Sequence, residues 1–136
     1  MCISVELDSA FDCAEKINVY KDGAVTVYGA GDKAFKEILV SWKSMIDGAH
    51  IMPAFGVSID RETRKELNKG VWVEFEFKET YAYNEMPFEK LLINMQEGFS
   101  GFNLIRYNSD RGYDGRCFYY SLVGKDSTDF YNLLIK

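Results

Sequence analysis

Val71-Trp72-Val73-Glu74-Phe75-Glu76-Phe77-Lys78 is the stretch of this chain with the clearest period. Val71, Val73, Phe75 and Phe77 alternate with Trp72, Glu74, Glu76 and Lys78. An extended backbone sends successive side chains to opposite faces. The stretch therefore reads as a strand with an apolar core face and a wetter opposite face, the habit of antiparallel sheets.

Working outward from it, Asp60 and Gly70 bracket a short polar helix over 61–69. Residues 55–59 read as a strand before it. Further upstream, two runs of β-formers, 17–21 and 24–28, flank Asp22-Gly23. An Asp-Gly pair suits the positive φ angles of a tight two-residue hairpin. Asp32 then caps a helix carrying Phe35, Ile38, Leu39, Trp42 and Ile46, which Gly48 ends. The first residues satisfy both periods: Ile3, Val5 and Leu7 alternate, while Ile3, Leu7, Ala10, Phe11 and Ala14 share a helical face. A helix through residue 16 is the expectation there.

Downstream, Pro87 suits the first turn of a helix. Phe88, Leu91, Leu92 and Met95 recur at helical spacing, and Gly98 follows. Residues 102–107 and 116–123 read as a second hairpin around a polar loop. Asp126 or Ser127 caps a last helix with Phe130, Leu133 and Leu134. The order of hairpins, strands and helices predicts one α+β domain over residues 1–136. Its sheet is mainly antiparallel, with about five to six strands and about three to five helices packed mostly on one face.

Composition supports a folded core. The chain has 136 residues, 47% of them apolar, with ten Phe, nine Tyr and two Trp. That is enough length and apolar surface for one domain without staples. The only prolines, Pro53 and Pro87, are isolated, and no linker-like tract occurs. A net charge of −5 argues against general nucleic-acid binding, which relies on cationic surface. It fits a cationic protein partner or plain solubility. No apolar run is long enough to span a bilayer. Glu6, Asp8 and Asp12 stand where a leader would be basic. Cys2, Cys13 and Cys117 form an odd set, which reads as reduced thiols in a cytoplasmic protein.

Few motifs carry chemistry. Gly29-Ala30-Gly31-Asp32-Lys33-Ala34 has the loose spacing of a dinucleotide-binding turn. Asp32, however, puts a negative charge where a pyrophosphate would sit, and the strand before it comes from a hairpin. A tight turn and a helix cap explain these residues more simply. Asp110-Arg111-Gly112-Tyr113-Asp114-Gly115 opens like a calcium loop, but Ser121 stands where the bidentate Glu is needed. No metal and no cofactor is expected. His50, the only histidine, belongs to no zinc or nucleophile motif. Arg61, Arg64, Lys65 and Lys69, interleaved with Glu62 and Glu66, read as a solvated helix.

Two functional readings follow, from different classes. The first is a protein-binding module, such as an inhibitor, immunity-type or adaptor protein. It would use the acidic aromatic face of Trp72, Glu74, Glu76, Tyr81 and Tyr83 on a protein partner or a second copy. The second is a small enzyme or ligand-binding domain acting on an anion. The loop over 108–115 is longer than most hairpin loops. With its flanks it offers Arg106, Asp110, Arg111, Asp114 and Arg116, beside Tyr107 and Tyr113. That reading requires a pocket beside the loop.

Overall fold

The longest strand of the computed structural model, which describes residues 3–52 and 56–136, is the one the sequence singles out. In chain order the strands are β1 (Ile3–Ser4), β2 (Ala14–Lys21), β3 (Ala24–Gly29), β4 (His50–Met52), β5 (Val57–Ser58), β6 (Val71–Tyr83), β7 (Met86–Met95), β8 (Gly101–Tyr107), β9 (Gly115–Arg116) and β10 (Phe118–Ser121). The helices are α1 (Leu7–Ala10), α2 (Lys33–Ile46), α3 (Asp60–Glu66) and α4 (Thr128–Ile135).

Eight strands form one sheet, ordered β3-β2-β6-β7-β8-β10-β4, with β1 beside the far end of β6. All its pairings are antiparallel except β1 with β6. The mainly antiparallel architecture with four helices agrees with the sequence reading, but the sheet is larger than five to six strands. β5 and β9 pair separately.

The extra strands have identifiable causes. Residues 86–95 are not a helix but β7, paired along β6. Register shifts between Glu76 and Tyr81, and the apolar parity of β7 changes beside that irregularity. Phe88, Leu91, Ile93 and Met95 thus all enter one core cluster. The step of three from Phe88 to Leu91 imitates helical spacing, while Leu92 packs on the opposite face. Asn84 and Glu85 join β6 to β7 with φ of 50° and 63°, the signature of a tight two-residue hairpin. The helix through residue 16 is also corrected. α1 and a 3-10 turn (Phe11–Cys13) bury Leu7, Ala10 and Phe11, and the chain is extended from Ala14. β1 and β4 are too short to show a period.

The hairpin at Asp22-Gly23 forms as read, with φ of 48° and 90°. β8 and β10 make the second hairpin. The strand over 55–59 is only Val57–Ser58 among the described residues; Phe55, like Pro53 and Cys2, lies outside them.

One face of the sheet carries the main core. Phe11, Trp42, Phe75, Phe102 and Phe130 pack there, with Trp42 ring centroids 5.0–5.5 Å from the other four. α1, α2 and α4 supply the cover. Each such fully buried side chain contributes about 2 kcal/mol. No helix of the described residues is long and apolar enough to cross a membrane.

The opposite face is not the wetter surface that the alternation implied. Trp72, Leu92 and Tyr113 form a second buried cluster there, with Tyr20, Leu67, Ile105 and Tyr107 against it. Strand alternation fixes which side a residue takes, not what lies over it. Here α3 and the 108–114 loop supply side chains that cover the middle of the face.

Candidate functional site

Glu74 projects from the centre of this second face and is fully buried. A buried carboxylate needs hydrogen-bond donors. Three side chains supply them. Asn18 Nδ2 donates to Oε1 at 3.1 Å, Tyr20 Oη to Oε1 at 3.3 Å, and Tyr113 Oη to Oε2 at 2.5 Å. Register explains the first two: β2 pairs with β6 so that Asn18 opposes Glu74 and Tyr20 opposes Trp72. Asn18 Nδ2 also donates to Glu76 Oε2 at 2.6 Å. The next row of the sheet sets Glu76 beside Lys90, and Lys90 beside Tyr107.

Tyr113 arrives from the loop, which is clamped at several points. Asn108 Oδ1 accepts from the Asp110 and Arg111 amides. Glu89 accepts from both the amide and the hydroxyl of Ser109. Asp114 Oδ1 accepts from the Asp60 amide at 2.6 Å, and Asp60 Oδ1 accepts from the Tyr113 amide at 2.9 Å. Ser58 donates to the Tyr113 carbonyl. Gly112, at φ +64°, passes so close to Asp60 that a Cβ there would lie 2.3 Å from Oδ1.

Above this network lies a recess of about 340 Å³, lined by Tyr20, Arg64, Lys90, Tyr107 and Tyr113 with Gly23, Leu67 and Asn68. Arg64 stands 5.3 Å over the Tyr113 ring, and Lys90 Nζ stands 4.7 Å over the Tyr107 ring. The two rings are 4.9 Å apart. Arg64 gives its Nε–H to Asp60 at 2.9–3.0 Å. Lys90 reaches Glu76 only at 3.9 Å. Burial, then the charge of Glu74, pushes the Tyr20 hydroxyl up to about 12, and the same causes raise Tyr113. The Tyr113 amide and Arg64 hold the Asp60 carboxyl below its ordinary value. A larger cleft of about 830 Å³ lies between α2 and α4. There Lys125 donates to the Ser44 and Asp47 carbonyls, whereas the cations held over rings among the described residues lie in the smaller recess, which is the better candidate.

The residues singled out from sequence divide. Trp72 is 5% exposed and its indole donates to the Lys69 carbonyl; Glu74 is buried, so neither is an open contact. Glu76 is half-buried. Tyr81 packs in the main core between Phe77 and Phe88. Tyr83 stacks edge-on against Phe118, remote in the sheet from Trp72. Arg106 is a buried strut, donating to the Arg116 and Pro87 carbonyls, and burial lowers its pKa. Asp114 is tied to α3. Asp110 and Arg111 are exposed, and Arg116 lines a different cleft with Tyr83 and Met86. The loop thus contributes Tyr107 and Tyr113 to a pocket rather than its charged residues.

Asn18, Tyr20 and Lys90 escaped the sequence reading. A polar Asn between Ile17 and Val19 was the available signal, since buried polar groups seek partners. Asp32 stands at the N-cap of α2, but its carboxylate accepts from the Gly29 amide and not from the helix. Among the described residues no group of His, Cys, Asp and Glu could hold a metal ion. No family model, curated protein or solved structure matches the chain.

Proposed function

We propose that this chain is a small ligand-binding domain that takes a compact anion, a carboxylate or phosphate on a flat body, in the Tyr20–Arg64–Lys90–Tyr107–Tyr113 recess. The observation that carries this is the pair of cations held over tyrosine faces in one cavity. Among the described residues Arg64 is hydrogen-bonded only through Nε, to Asp60, which leaves its terminal amino groups to a ligand. Guanidinium and ammonium groups recognise carboxylates and phosphates through charge-assisted hydrogen bonds, and tyrosine rings offer flat apolar walls. The Glu74 network fixes two of the rings before a ligand arrives, and such preorganisation lowers the cost of binding. Binding is favoured over catalysis because the hydroxyls of Tyr20 and Tyr113 are already committed to Glu74. The unpaired Cys13 and Cys117 support a reducing, cytoplasmic setting.

The test is titration of the isotope-labelled protein with inorganic phosphate, small aromatic carboxylates and nucleoside monophosphates. Saturable shifts are expected at Tyr107, Tyr113 and Lys90. Arg64→Gln and Lys90→Gln should each weaken the best of these ligands by about tenfold. If none of the probes shifts these residues at millimolar concentration, the reading fails.

A further inference from the structure

β3 ends the sheet, and its register with β2 decides which backbone groups are free. Lys21 and Ala24 flank a two-residue turn and therefore form a hydrogen-bonded pair. Alternation makes Val19–Thr26 and Ile17–Tyr28 pairs of the same kind. The N–H and C=O groups of Val25, Val27 and Gly29 consequently point away from the sheet. The Asp32 carboxylate takes the Gly29 N–H at 2.8 Å, which leaves Val25 and Val27 as the open positions among the described residues.

Sheet edges are ordinarily blunted by lysine, proline, a bulge or a cover. Ala24-Val25-Thr26-Val27-Tyr28-Gly29 contains no charge and no proline. Its register against β2 is unbroken, and residues 24–27 are exposed. Val25 and Val27 are 50% and 54% exposed. Their pairing with Tyr20 and Asn18 puts both valines on the face of the Glu74 network.

We propose that β3 is a homodimer edge, on which two copies of this chain pair antiparallel about a two-fold axis at Thr26. In that register Val25 of each copy opposes Val27 of the other, so the outward backbone groups exchange hydrogen bonds and the valines form apolar cross-strand pairs. Thr26 faces Thr26 of the second copy at the closest side-chain approach, a favourable pair. Exposed Lys21 and Asp22 precede the edge and exposed Asp32 and Lys33 follow it, one acid and one base at each end, so neither end brings net like charge to the pairing. This self-matching register favours a second copy over an unrelated strand, and it stands independently of the recess.

Sedimentation equilibrium from micromolar to millimolar protein tests the proposal. The wild type should show a reversible dimer. Thr26→Lys and Thr26→Glu, each placing like charges across the axis on an exposed side chain, should weaken it by at least about tenfold. An equimolar mixture of the two variants should restore the dimer as a heterodimer, which also verifies that both remain folded. A wild type that stays monomeric throughout overturns the proposal, as does a dimer indifferent to both substitutions. Variants that are both monomeric but do not associate on mixing overturn the axis at Thr26.

Discussion

The Tyr113 hydroxyl donates to Glu74 Oε2 at 2.5 Å, across 39 residues of sequence. This contact joins the long loop to the centre of the sheet and closes the floor of the recess. Glu74 is fully buried, so its donors matter more than those of a surface carboxylate.

Tyr113→Phe should therefore lower stability by about 2 kcal/mol, the range for hydrogen bonds to a charged group. Tyr20→Phe, whose hydroxyl sits at 3.3 Å from the same carboxylate, should cost less. Urea denaturation of the two variants measures both. A larger loss for Tyr20→Phe would contradict the assigned geometry.

Gly112→Ala should cost more than Gly98→Ala. Both glycines have positive φ, +64° and +82°, which costs an alanine about 1 kcal/mol. At Gly98 a Cβ would meet nothing within 4 Å, while at Gly112 it would collide with the Asp60 carboxylate. Gly112→Ala should also free the Tyr113 amide, read as faster hydrogen exchange at Tyr113 and Asp60.

Glu85→Gly should stabilise the protein. Glu85 holds φ of 63° in the β6–β7 turn after Asn84, a position where glycine is strongly preferred. Relief of the left-handed strain is worth about 1 kcal/mol, offset in part by glycine's greater freedom in the unfolded chain. A higher denaturation midpoint with unchanged slope is the expected result.

Alkaline pH should weaken the fold. Tyr20 titrates near 12 in the folded protein against an ordinary value of 10.0. A group whose folded pKa is raised contributes stability that is complete below its unfolded pKa. That contribution is lost as pH climbs from about 10 through about 12. Tyr20→Phe should remove part of the loss, followed by circular dichroism alongside tyrosinate absorbance.

Much of the sheet was legible because its signals are local. The Asp22-Gly23 hairpin, the alternation of 71–78, the apolar face of α2 and the core side of Phe75 and Phe77 all follow from residues a few positions apart. β7 imitates a helix for a local reason too. A register irregularity opposite Phe88 and Leu91 shifts the strand's parity and reproduces a helical spacing that only the partner strand can disqualify.

By itself, the sequence determined a mainly antiparallel sheet with helices, the side of β6 that becomes core, and the absence of a recognisable catalytic motif. Tertiary structure alone decided what lies over Trp72 and Glu74, because alternation assigns a side chain to a face but carries no information about distant cover. It also decided which donors meet Glu74. Asn18, Tyr20 and Tyr113 converge there from separate segments, and a buried charge persists only where such partners are brought together in space.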